Sequence, residues 1–185
     1  NESILDLNEL PKSVVILGGG YIACEFGHFL AGMGSEVTVI QRNARLVANE
    51  EPEILDLLLK EMSKRMKIHT NTEVIEVSQK DGLVKVIGKV KGSEKTIEIS
   101  AEKILVAGGR VPNSDILKVQ NTGVETDSRG YIKVDEYLQT SKENIWAFGD
   151  VIGKYMFRHS ANKEAVYAWH NSIHEKKVPM DYSAI

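Results

Sequence analysis

Three glycines stand in a row at Gly18-Gly19-Gly20, followed by Tyr21-Ile22-Ala23. Gly18 and Gly20 fall where a backbone must turn sharply and where a side chain would hold a ligand away. Ala23 falls where a small residue lets a helix pack close to a strand. A helix that begins over such a turn presents unpaired amides and the positive end of its dipole to an anion, the dipole alone contributing about 0.3–1 kcal/mol. A pyrophosphate suits that cradle, with Gly18, Gly19, Gly20, Tyr21 and Ile22 beneath it. A tight turn with no ligand is the plain alternative.

What decides between them is the surrounding pattern. Val14 to Leu17 is a continuous apolar run of the kind expected for a strand buried on both faces of a parallel sheet. Ile22, Phe26, Phe29, Leu30 and Met33 recur at helical spacing, Gly34 suits a left-handed C-terminal cap, and Glu36 to Ile40 reads as a second strand. Strand, Gly-x-Gly-x-x-Ala, helix and strand in this order predict a dinucleotide-binding unit. An acidic residue at the end of the second strand would select the ribose of NAD. Gln41 stands there instead, and Arg42 and Arg45 follow, whose planar forks match a phosphate. NADP is therefore favoured over NAD, with two solvated loop arginines as the alternative.

The 185 residues are 42% hydrophobic and 26% charged, with a net charge of -3, enough for one good core and a second small one. No basic stripe points to nucleic acid or to an anionic membrane surface, and the apolar run around the glycines carries Glu25 and His28, which suits strand plus helix better than a membrane span. No metal-ligand cluster stands out. Cys24 is the single cysteine, which excludes an internal disulfide, fits a reducing cytoplasmic compartment, and reads as a small core residue.

Residues 1–12 read as a lead-in whose Ile4, Leu5, Leu7 and Leu10 need something to pack against. Asn49 is expected to cap a crossover helix with Glu50, Glu51, Pro52 and Glu53 in its first turn and Ile54, Leu57, Leu58, Met62 and Met66 on its apolar face; Lys67 to Thr70 follows as a third strand. Residues 73–100 change to an extended period broken at Asp81-Gly82 and at Lys91 to Glu94, predicting a three-stranded antiparallel meander over one face of the sheet. Lys103 to Ala107 returns as a strand and ends in Gly108-Gly109-Arg110-Val111-Pro112-Asn113. Val124, Tyr131, Ile132, Val134, Ile145, Trp146 and Phe148 look like strand residues. A last helix is expected to bury Ala165, Val166, Trp169 and Ile173.

Three runs, GGGYIACEFG followed by VTV, VAGGRVPN, and TSKENIWAFGDV, resemble the class I flavoprotein disulfide reductases, a family that includes dihydrolipoamide dehydrogenase, glutathione reductase, mercuric reductase and mycothione reductase. The resemblance covers almost the whole chain in order. It implies a three-layer ββα, FAD/NAD(P)-binding α/β fold: a Rossmann-like parallel sheet with an antiparallel meander, and an incomplete piece of a second such domain. The implied domains are the lead-in from the FAD domain at 1–12, an NAD(P)H-binding domain at 13–113, and the returning C-terminal piece of the FAD domain at 114–185. The family's first glycine unit, its redox cysteine pair and its interface domain find no counterpart, so the chain is expected to be a piece of a longer, homodimeric enzyme and to be inactive alone. Disulfide substrate contacts would come from the other parts.

The resemblance also assigns roles. Tyr21 resembles the family's aromatic gate over the nicotinamide, and Glu25 the glutamate that pairs with a lysine near the flavin. Gly108, Gly109 and Arg110 would line the nicotinamide side and the hinge. Gly149 and Asp150 would hold the ribityl chain of FAD, with the following helix aimed at the flavin ring. Two functions remain open at this stage: the NAD(P)H-binding portion of an FAD-dependent oxidoreductase that moves hydride between nicotinamide and flavin, or a nucleotide-binding or sensing module without catalysis.

Overall fold

A computed structural model of the protein describes residues 2–183; Asn1, Ala184 and Ile185, at the ends of the expected lead-in and C-terminal piece, lie outside them. The described residues form two compact units, divided between Gly109 and Arg110.

The first unit is an α/β layer structure. Strand β1 (Ser13–Leu17) lies between β2 (Glu36–Ile40) and β7 (Lys103–Val106), and β3 (Lys67–His69) flanks β2, giving a parallel sheet of order β3-β2-β1-β7. Strands β4 (Thr72–Lys80), β5 (Leu83–Val90) and β6 (Thr96–Ala101) form an antiparallel meander. Side chains alternate across a strand, so β1 serves two cores at once. Val14 and Ile16 pack with Ala23 and Leu30 of helix α1 (Tyr21–Met33) and with Leu55 and Met62 of α2 (Pro52–Met62). Val15 points the other way and packs with Val86 and Ala101 of the meander. An apolar run with no alternation is what a strand covered on both faces requires.

Two helix faces differ from expectation. On α1 the buried positions are Ala23, Gly27 and Leu30, while Phe29 and Met33 are exposed. Small residues win the contact because helix and sheet approach closely there; a Cβ on Gly27 would already touch Ile16 and Met66 at 3.4 Å. On α2 the buried side chains are Leu55 and Met62, and Ile54 and Leu57 face outward. With apolar residues on both sides of this helix, periodicity alone could not choose between them. The helix begins at Pro52 after Glu51, two residues beyond the expected cap at Asn49, because proline at the first helical position has no amide to leave unpaired.

The second unit has no regular strand among its described residues. Its extended stretches meet only at single bridges, Thr126 to Ile132, Val134 to Thr140 and Gln139 to Trp146. Val124, Ile132 and Ala147 form one small core, and Leu138, Ala168 and Met180 another. Helix α3 (Arg158–Ile173) corrects the sequence expectation: it buries Ser160, Glu164, Ala168 and Asn171 and exposes Val166, Trp169 and Ile173. The cause is hydrogen bonding. Asn171 donates to the carbonyls of Tyr137 and Val178 and accepts from the amide of Val178. Irregular backbone without a ladder needs side-chain partners, and α3 supplies them.

Candidate functional site

In the parallel sheet the chain moves outward from β1 to β2 and β3, then returns on the opposite side of β1 as β7. Ligands of open α/β sheets bind beyond the carboxyl ends of the strands where that direction reverses, here at the ends of β1 and β7. Gly18 leaves β1 and Gly108 follows the end of β7.

Gly18 has φ +110°, and its amide donates to the Ile40 carbonyl at 2.9 Å. Gly19 fits against its neighbours so closely that a Cβ would lie 2.8 Å from Leu46 and 2.9 Å from Gln41. The loop after β2 is tied to the same point, since the Val47 amide donates to the Gly19 carbonyl at 2.7 Å. Gly20, in contrast, has nothing within 4 Å of where a Cβ would stand. The floor of the turn is therefore packed and its roof is open.

Above that roof α1 begins. Its N-cap, Gly20, offers no side-chain hydrogen bond, and no acidic residue occupies its first turn. The first bond along this turn runs from the Cys24 amide to the Gly20 carbonyl at 3.0 Å, so the Ile22 and Ala23 amides precede the helical ladder. A cradle with no internal anion suits the pyrophosphate of a dinucleotide. Tyr21 stands at the mouth, partly exposed, with its hydroxyl donating to the Glu50 carboxylate. That bond to a carboxylate raises the Tyr21 pKa. Glu25, one turn further on, is exposed. Gly108 and Gly109 add no side chain to this end of β7, and Gly109 takes φ +141°.

The three residues chosen as nucleotide discriminators separate. Gln41 is buried, and its Nε2 donates to the Arg45 carbonyl at 3.2 Å, bracing the loop. Arg45 is engaged with Asp56 of α2, at 2.9 Å from Nε and 3.3 Å from Nη2. Arg42 is exposed.

In the second unit the structure joins residues that the sequence holds forty positions apart. Arg110 Nη1 lies 3.0 Å from Asp150 Oδ2 and donates to the Met156 carbonyl at 2.7 Å. Gly149, at φ +75°, opens a short turn at Gly149–Ile152, and its amide donates to Glu164 Oε2 at 2.6 Å. Glu164 Oε1 accepts from the Tyr182 hydroxyl at 2.9 Å. Sequence reasoning missed Glu50, Asp56 and Glu164. Glu50, in the loop before α2, and Asp56, on α2, carry no signal until the fold brings a tyrosine and an arginine to them. Glu164 could have been suspected as a charge in the middle of a helix otherwise free of acids.

A glycine turn under an uncapped helix at the reversal point of a parallel sheet is the geometry of the Rossmann-like α/β fold class. Residues 1–165 match the family model described as pyridine nucleotide-disulphide oxidoreductase, and the chain belongs to that family. It is 33% identical to dihydrolipoyl dehydrogenase of Bacillus subtilis over 98% of this chain and 38% of that one. Mercuric reductase of Staphylococcus aureus is 34% identical over 97% of this chain and 32% of its own. Mycothione reductase of Mycobacterium tuberculosis is 32% identical over 94% and 36%. The solved structure of the HOCl-induced flavoprotein disulfide reductase RclA from Escherichia coli superposes with a TM-score of 0.84 at 30% identity, covering 96% of this chain and 40% of that one. The resemblance carried by the three sequence runs is borne out, as is the FAD/NAD(P)-binding fold class. The chain spans about a third of the length of the curated relatives it matches. No helix among the described residues is long and apolar enough to cross a membrane.

Proposed function

We propose that residues 13–113 are the NAD(P)H-binding part, residues 1–12 its lead-in, and residues 114–185 the returning piece of the FAD domain, of an FAD-dependent disulfide oxidoreductase that passes hydride between nicotinamide and flavin. The observation that carries the reading is the start of α1, uncapped and without acid above a glycine that leaves open space.

The hydride chemistry belongs to the two cofactors, and the chain's share is to bind and orient them. The amides from Gly20 to Ala23 hold the pyrophosphate. Gln41 presents no carboxylate to repel a 2′-phosphate, and Arg42 supplies its charge, which favours NADP over NAD. Arg45 serves the loop instead, through Asp56. Tyr21, held by Glu50, would serve as the gate over a bound nicotinamide, and the exposed Glu25 would be free to pair with a lysine near the flavin. Asp150, aimed by Arg110 and by the turn that Glu164 holds, accepts the ribityl hydroxyls. The same reading makes the parent a cytoplasmic homodimer whose disulfide substrate is contacted by other parts of the protein.

Isothermal titration of the 185-residue chain with NADPH and with NADH tests the binding step. Saturable uptake of both, NADPH the tighter, is expected. Folded protein that takes up neither overturns the reading. A chain of the relatives' length is expected to purify yellow with bound flavin, and a colourless one would favour a nucleotide sensor without catalysis.

A further inference from the structure

His170 and His174 meet at the C-terminal end of α3. Their ring centroids are 4.4 Å apart with planes inclined at 38°, and neither belongs to the sites described above. His170 Nε2 lies 3.1 Å from the carbonyl oxygen of Lys176. A carbonyl only accepts, so Nε2 carries the proton and the free lone pair is on Nδ1. Metal-binding imidazoles are held in this way, with the second ring nitrogen donating to a backbone carbonyl that fixes tautomer and orientation. His174 is exposed and ends the helix, its backbone leaving the helical region at φ -101°, ψ 143° while its amide still reaches the His170 carbonyl. Metal to nitrogen bonds of about 2.0–2.1 Å put two donors roughly 3–3.5 Å apart, a span compatible with rings whose centroids are 4.4 Å apart. The negative end of the helix dipole adds a second attraction for a cation, since His170 is the only basic side chain in the last turn.

We propose that His170 and His174 chelate one divalent transition-metal ion of the kind that prefers imidazole nitrogen, Ni(II), Zn(II) or Cu(II). Among the described residues no third His, Cys, Asp or Glu completes the set. Water fills the other positions, and the site exchanges its ion with solvent. Trp169 stands edge-on to His174 at 6.2 Å between centroids and reports occupancy by its fluorescence.

Ni(II) is the probe, because it does not oxidise Cys24. Isothermal titration of the intact chain is expected to show one ion bound, with quenching of Trp fluorescence that EDTA reverses. His174→Ala removes an exposed side chain and is expected to weaken Ni(II) at least about tenfold with an unchanged melting temperature. His170→Ala should do the same, and His159→Ala, at the other end of α3, should bind as the parent does. Binding by His174→Ala within about twofold of the parent, or no saturable uptake by the parent, overturns the proposal and leaves the two rings as an aromatic contact with Trp169.

Discussion

A methyl group on Gly18 would stand 2.3 Å from the carbonyl oxygen of Ala107, so the strands that begin and end the first unit touch through backbone alone at the glycine turn. Gly18→Ala is expected to destabilise the fold by more than the roughly 1–3 kcal/mol of a strained backbone, because steric overlap adds to φ +110°. Gly20→Ala meets nothing within 4 Å and is expected to leave urea denaturation within about 0.5 kcal/mol of the parent. On the proposed reading the open space at Gly20 takes the nucleotide, so nucleotide affinity should fall at least about tenfold. The pair separates the packed floor of the turn from its open roof.

Arg42 and Arg45 should behave differently although three residues apart. Arg42→Ala is expected to cost NADPH about 1.5–3 kcal/mol, the range of a charge-assisted contact, and to spare NADH. Arg45→Ala loses the bond to Asp56 and should weaken both nucleotides alike, through the loop. Titration of each variant with both nucleotides checks this. Equal selectivity loss in the two would return Arg45 to the phosphate.

The parallel sheet was legible because its signal is local: β1, β2 and β7 are short, mostly apolar runs, β3 follows the basic end of the crossover helix, and the turn after β1 carries glycine. The meander was legible for the same reason. The second unit was not. Trp169 and Ile173 look like core residues, yet both are exposed, because α3 turns Glu164 and Asn171 inward to satisfy backbone that belongs to distant segments. Hydrophobic periodicity carries no information about such partners. The glycine cradle could be read from spacing alone, whereas the Tyr21 to Glu50 and Arg45 to Asp56 pairs depend on where the loop after β2 lands.

Glu164 is fully buried between two donors, the Gly149 amide and the Tyr182 hydroxyl. Glu164→Ala leaves both without an acceptor, at about 1–3 kcal/mol for the buried Gly149 amide and less for the half-buried Tyr182 hydroxyl. A fall in melting temperature of the second unit, with the nucleotide affinity of the first retained, is expected by calorimetry. Glu164→Gln keeps an acceptor oxygen and should recover part of the loss.

Burial raises the Cys24 pKa from 9.0 to about 11. The folded state therefore holds its thiol proton where the unfolded chain has released it. The resulting stabilisation is complete below pH 9 and declines as pH rises toward 11. Cys24→Ala should flatten the alkaline limb of the stability profile between these values. At neutral pH the thiol should resist alkylation until the protein unfolds.

The amides opening α1 are expected to receive the phosphates of a nicotinamide dinucleotide. Amide resonances of an isotope-labelled sample titrated with NADPH test it residue by residue. The largest shifts are expected from Gly20 to Ala23. Absence of any shift there, or shifts confined to residues 110–185, would contradict it.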